Sequence, residues 1–136
     1  MSALPWGLGL GVFLCVPFVS SVLASIAMVV AGRLQRGKER HVAENGRNAA
    51  NWGLTYLLLT VVLVGTHFGL LYALTRDGGS IDGFFPFGII ILTWITVSVV
   101  HVGFSIAGLV KGLRQEIFSA PAISFFSRPE VDDERR

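Results

Sequence analysis

The stretch NWGLTYLLLTVVLVGTHFGLLYAL, Asn51–Leu74, decides the fold. It contains no Asp, Glu, Lys or Arg, and about 20 apolar helical residues are enough to cross the hydrocarbon core of a membrane. Strand-type alternation is absent from it, and the need to satisfy every backbone polar group in lipid then leaves a helix as the only solution. We therefore predict a membrane-spanning helix here.

Two further apolar stretches flank this one. The polar sequence TRDGGSIDG, Thr75–Gly83, is typical of a tight turn and leads into a second span over Phe84–Val110. A span is also predicted over Leu8–Ala31, where Pro17 should kink the helix because proline removes a backbone donor and clashes with the preceding turn.

The composition agrees with a protein that has lipid as part of its solvent. Of the 136 residues, 52% are hydrophobic and only 15% are charged, and the mean hydropathy is +0.64. A soluble domain carries about 25% charged residues. The net charge of +2 is too small to indicate a nucleic-acid partner. The predicted fold is an all-α, multi-pass transmembrane helical bundle of three spans.

The rest of the chain completes one domain, residues 1–126. The apolar stretch QEIFSAPAISFF, Gln115–Phe126, is too short to span and should lie along the membrane interface. Residues 127–136 are charged and predict a disordered tail.

The distribution of Lys and Arg predicts the orientation, because positive residues collect on the cytoplasmic side. Most of them lie in the loop before Asn51 or directly after Val110, whereas the turn Thr75–Gly83 holds only Arg76. The N-terminus and this turn should therefore be outside, and the first loop and the C-terminus should be cytoplasmic.

One face of the second apolar helix carries a polar stripe. At 100° per residue, its members fall within an arc of about 100°: Glu44, Arg47, Asn48, Asn51 and Thr55. The stripe predicts either a polar cytoplasmic cavity that holds a ligand or a partner segment, or a helix end that simply faces water. Leu58, Val62 and the GxxxG pair Gly65 and Gly69 continue the same face, which is the predicted packing side because small residues let another backbone approach.

The last apolar helix has a second such face. Its members recur at spacings of three and four: Trp94, Ser98, His101, Ser105, Gly108 and Gly112. Helix packing through the GxxxG pair Gly108 and Gly112 is the simpler interpretation, and a proton relay or ligand role for His101 is the alternative. His67 should lie near the opposite membrane face from His101, so a shared site is not expected.

Two stretches resemble a known family. VAENGRNAANW, Val42–Trp52, is similar to a pattern of small bacterial membrane proteins related to the Tic subunit of about twenty kilodaltons in the chloroplast protein-import translocon. The aromatic and proline ending IFSAPAISFF, Ile117–Phe126, matches it more loosely. The resemblance implies a multi-pass protein of the bacterial plasma membrane with a scaffold or channel-like role.

The functional expectation is a non-catalytic scaffold or accessory subunit whose helix faces bind other membrane helices, in a homo-oligomer or a membrane complex. The alternative is an oligomeric channel or transport component that is gated or selective through Glu44, Asn48, Asn51 and His101. No phosphate loop, HExxH sequence or nucleophile elbow is present in the sequence. We therefore predict no enzyme activity, no cofactor and no catalytic or metal-binding residue.

Overall fold

The computed structural model describes residues 2–13, 18–80 and 83–127. In these ranges all regular secondary structure is helical, as predicted. The α-helices are α1, Leu4–Gly9; α2, Val19–Leu34; α3, Arg40–Thr75; and α4, Phe87–Leu113. A 3-10 helix, Leu10–Phe13, continues α1. The kink predicted at Pro17 and the tail predicted beyond Ser127 lie outside the described residues.

Two of the helices are long and apolar enough to span a membrane. α3 has 36 residues and α4 has 27, and the most apolar 18-residue window of each has a mean hydropathy of 2.1. At 1.5 Å per residue they are about 54 and 40 Å long, more than the roughly 30 Å of a hydrocarbon core. The rings of Trp52 and Phe104 lie 5.0 Å apart and those of His67 and Phe87 lie 5.6 Å apart, so the two helices run antiparallel.

α1 lies against the C-terminal half of α4. The hydroxyl of Ser2 donates a hydrogen bond to the carbonyl of Gly112 over 2.7 Å. Further along, Nε2 of His101 lies 3.0 Å from the carbonyl oxygen of Gly9. The chain therefore starts beside the C-terminal end of α4 and runs along it towards the middle of the helix.

α2 returns in the opposite direction. The hydroxyl of Ser20 donates to the carbonyl of Val12 over 3.2 Å. At the other end of α2, Gly32 packs so closely on Gly46 of α3 that a Cβ there would overlap the Gly46 carbonyl. The two arms, Leu4–Phe13 and Val19–Leu34, thus form a helical hairpin beside α3 and α4.

The single span predicted over Leu8–Ala31 is therefore not confirmed. The arms have 10 and 16 residues, about 15 and 24 Å of helix, so neither alone reaches across a 30 Å core. Apart from Arg33 in the last turn of the second arm, both arms lack charged residues because both pack against the apolar bundle. Hydropathy records that environment and not the direction of the chain, so a hairpin and a span give the same signal.

The predicted position of the N-terminus changes with this hairpin. Ser2, Gly32, Gly46 and Gly112 all lie at one end of the bundle, which we call the basic end because Arg33, Arg36, Lys38, Arg40, Arg47, Lys111 and Arg114 are found there. The turn after Thr75 lies at the other end, which we call the far end. The predicted placement of the N-terminus on the opposite side from the first loop is therefore not confirmed.

The packed core is confined to the basic half. No described residue between Val61 and Val100 is buried. Leu58 and Val62 are 45% and 53% exposed, and a Cβ added at Gly65 or Gly69 would meet no atom of another described element within 4 Å. The face predicted as the packing side of α3 thus makes no close approach within this chain, because the hairpin covers mainly the basic half.

Cysteine labelling tests the hairpin. In a Cys15→Ala background, we expect single cysteines at Leu4 and Gly37 to react with a membrane-impermeant maleimide from the same side of the membrane. Both are exposed at the basic end. A cysteine at Ser80 should react from the opposite side. Reaction of Leu4→Cys from the Ser80 side would restore the single span and contradict the hairpin.

An asparagine ladder and a basic cavity as candidate functional sites

The polar stripe of α3 faces an extended segment that follows α4. We call this segment, Glu116–Phe126, the strap; it has no regular secondary structure. Asn45, Asn48 and Asn51 recur every three residues along α3, and Thr55 follows one turn later. Asn45 is fully buried, while Asn51 and Thr55 are each 8% exposed. The part of the stripe formed by Asn48, Asn51 and Thr55 therefore lies beneath the strap.

Asn45 and Asn48 hold the first part of the strap through its backbone. The Asn45 side chain donates to the carbonyl of Glu116 and accepts from the amide N–H of Phe118, both over 2.8 Å. Asn48 donates to the carbonyl of Phe118, again over 2.8 Å. An amide side chain offers a donor and an acceptor, so it can replace the backbone partner that an extended segment lacks.

Asn51 and Thr55 hold the second part in the same way. Asn51 accepts from the N–H of Phe126 over 2.8 Å and donates to the Phe126 carbonyl over 3.3 Å. Thr55 accepts from the N–H of Ile123 over 3.0 Å. We call these bonds from Asn45, Asn48, Asn51 and Thr55 the asparagine ladder. Without it, the strap would leave buried backbone groups unpaired beside an apolar bundle, at a cost of about 1–3 kcal/mol each.

The side chains of the strap add packing to these bonds. The ring of Phe118 lies 5.1 Å from that of Trp6 on α1 and 6.2 Å from that of Phe104 on α4. Ala120 is 9% exposed and belongs to the same core cluster. The segment predicted to rest on the membrane interface is thus docked on the helices, where it contacts both the hairpin and the spans.

Sequence reasoning missed Asn45, although it makes two of the ladder bonds. The signal was present as N-x-x-N-x-x-N over Asn45–Asn51. The expected partner segment of the stripe belongs to the chain itself, and a small cavity of about 290 Å³ remains between the strap and the side chains of Asn48 and Asn51.

His101 is committed to contacts within the bundle. Its ring stacks on Tyr56 with 3.9 Å between ring centroids, and Nε2 meets the carbonyl of Gly9. The Tyr56 hydroxyl donates to Ser21 over 3.1 Å and lies 2.9 Å from the hydroxyl of Ser98. This cluster ties α1 and α2 to the two spans, and Nδ1 of His101 is buried without a hydrogen-bond partner among the described residues. A relay role for His101 stays a prediction.

α1 packs against the GxxxG pair of α4. A Cβ at Gly108 would overlap the ring of Trp6, and one at Gly112 would overlap the backbone of Ala3. The absence of side chains at these two glycines allows the short first helix to lie close to the span.

The remaining stripe residues, Glu44 and Arg47, line a separate cavity at the basic end. It has a volume of about 710 Å³ and lies between the end of α2, the start of α3 and the end of the strap. Glu44 pairs with Arg40 over 3.1 Å. Arg47 donates to Asn48 over 3.2 Å, while its Nε atom is buried without an acceptor.

Removal of an asparagine side chain tests the ladder. Asn45→Ala deletes two bonds to the strap, so we expect the local free energy of strap release to fall by about 2 kcal/mol. Chymotrypsin should then cleave after Phe118 at least about tenfold faster in mild detergent. Thr75→Ala, which removes only a bond within its own exposed turn, is the matched control. Equal cleavage rates for Asn45→Ala and the native chain would show that the ladder does not hold the strap.

Comparison with known proteins gives one family. No curated protein and no solved structure matches the chain significantly. The resemblance to small bacterial membrane proteins is supported, whereas nothing in the comparisons supports a relation to the chloroplast translocon subunit. The match runs from residue 2 to residue 126 and so includes the hairpin, both long helices and the strap. The chain belongs to the magnetosome magnetite crystal formation protein family.

Proposed function

We propose that this chain is a non-catalytic accessory protein of the magnetosome membrane that acts in the formation of magnetite crystals. The family match over residues 2–126 is the observation that carries the proposal. The two long apolar helices support a location within a membrane. The proposed location is therefore the magnetosome membrane and not the plasma membrane that the sequence alone predicts.

The use of the buried polar groups supports a non-catalytic role. Asn45, Asn51 and Thr55 bond to the backbone of the strap, and His101 bonds to the hairpin. Side chains committed in this way hold elements together and do not present themselves to a substrate. The commitments of Asn51 and His101 count against the channel alternative, which relied on these two residues together with Glu44 and Asn48.

Charge supports the proposed orientation. Seven of the Lys and Arg residues lie at the basic end, and Arg76 lies at the far end. The positive-inside rule therefore favours a cytoplasmic basic end. The N-terminus, the first loop and the strap would share that side, while the turn after Thr75 would face the other compartment.

The far half of α3 and α4 is the proposed contact surface for other membrane helices. This surface is apolar, unburied within the chain, and includes Gly65 and Gly69 without a neighbour. Small residues at this spacing let a second helix approach closely. The partner would be a second copy or another protein of the same membrane, in keeping with a scaffold role.

Deletion and complementation in a magnetite-forming host test the role. Loss of the chain should change the size or shape distribution of the crystals in electron micrographs, and the native chain should restore it. If Gly65 and Gly69 form the contact surface, Gly65→Leu/Gly69→Leu should fail to restore the crystals. Its amount in the membrane should be normal, because a Cβ at either position meets no atom of another described element within 4 Å.

Gly103→Leu is the matched control for this variant. Gly103 is likewise exposed on a long apolar helix, and a Cβ added there would meet no atom of another described element within 4 Å, but it lies in the basic half. It should restore the crystals. Unchanged crystals after deletion would contradict the proposed function, and full rescue by Gly65→Leu/Gly69→Leu would contradict the contact surface alone.

A further inference from the structure

The cavity at the basic end collects more positive charge than the described residues neutralise. Arginines on three sides contribute to its wall: Arg33 from α2, Arg36 from the following loop, and Arg40 and Arg47 from α3. Glu44 is the carboxylate in this lining and it pairs with Arg40. Among the described residues, the other three arginines form no ion pair, so the cavity has a marked preference for an anion.

One donor in the wall has no partner. Nε of Arg47 is buried and lacks an acceptor, although another nitrogen of the same guanidinium reaches Asn48. An unpaired buried donor on a charged group is costly. A ligand that brings several acceptor oxygens to this guanidinium would relieve that cost, and phosphate oxygens match the planar fork of arginine.

The other wall of the cavity is apolar. Phe125 and Phe126 from the end of the strap line it, and the guanidinium of Arg33 lies 4.4 Å from the ring centre of Phe126. Two phenyl rings would make no favourable contact with a free inorganic anion. A molecule with a charged head and an apolar body would use both walls.

The level of the cavity in the bundle agrees with such a molecule. Gly32 ends the charge-free part of the chain and Arg33 is the first charged residue, so the cavity lies where the apolar bundle meets water. Phospholipid head groups occupy this level, and clustered Lys and Arg residues attract those that are anionic. A volume of about 710 Å³ is sufficient for a head group with part of its glycerol backbone.

We propose that this cavity binds the phosphate head group of an anionic phospholipid in the leaflet at the basic end. Arg33, Arg36 and Arg47 bind the phosphate oxygens, and Phe125 and Phe126 contact the glycerol and the first acyl carbons. The ladder contributes indirectly, because Asn51 holds Phe126 in place. The site does not depend on the role in crystal formation, since it needs only a membrane that contains anionic lipid.

Native mass spectrometry of the full chain in uncharged detergent tests the site. We expect short-chain phosphatidylglycerol to bind at one saturable site at least about tenfold more tightly than short-chain phosphatidylcholine. Arg36→Gln should weaken this binding about tenfold. Arg36 is exposed, so its replacement should not disturb the fold.

Arg114→Gln is the matched control. Arg114 is an exposed arginine at the same end and does not line the cavity, so its replacement removes the same charge and should leave the affinity unchanged. Equal losses for Arg36→Gln and Arg114→Gln would show general attraction to a basic surface and overturn the proposal.

Two further measurements separate other occupants. Inorganic phosphate at the same concentration should not displace the lipid; complete displacement would overturn the lipid assignment. A chain that ends at Ser127 should bind phosphatidylglycerol about as tightly as the full chain. Binding by the shortened chain only would show that the acidic residues beyond Ser127 fill the cavity instead, which also overturns the proposal.

Discussion

The hydrogen bonds from the side chains of α3 to the backbone of the strap are the interaction on which the rest of the structure depends. A single backbone hydrogen bond lies within the strap, from the N–H of Phe125 to the carbonyl of Ile123. The other backbone groups that lie against the bundle therefore need partners from outside the strap. Asn45 and Asn51 each supply a donor and an acceptor to one stretch of the strap. The strap can therefore lie on the bundle and place Phe118 between the hairpin and α4.

The hairpin follows the same rule by a different route. Its arms are helical, so most of their backbone groups are paired internally. Beside the start of the first arm the Ser2 hydroxyl bonds to the carbonyl of Gly112, and near its end the His101 ring bonds to the carbonyl of Gly9. Both arms and the strap cover the basic half of the two spans. The described residues leave the far half largely uncovered, apart from Phe18, whose ring lies 4.6 Å from that of Trp94. An accessory role with other membrane helices therefore suits this architecture.

Sequence reasoning could locate what depends on local composition. The apolar limits Leu74 and Phe84 lie within three residues of the helix ends at Thr75 and Phe87. It could not detect the reversal between α1 and α2, because two short apolar helices and one long span are equally poor in charged residues. Nor could it distinguish the roles of Gly108, which packs against Trp6, and Gly65, which packs against no other described element. Each of these glycines begins a GxxxG motif.

For the asparagine ladder too, the sequence pattern predicts the polar residues of one helix but not the distant segment that binds them. The spacing of Asn48, Asn51 and Thr55 on one face was visible in the sequence, and so was the need of such groups for partners. The identity of the partner was not, because Asn45 and Glu116 are separated by 71 positions and are brought together only after α4 has packed on α3.

Residue-resolved amide hydrogen exchange in the strap tests this account most directly. The N–H groups of Phe118, Ile123 and Phe126 bond to Asn45, Thr55 and Asn51, so these three amides should exchange slowly although they lie outside any helix. The amides of Ser119 and Ser124, for which the described structure shows no acceptor, should exchange much faster. Uniformly fast exchange across the five positions would mean that the strap is not held by α3 and would contradict the account.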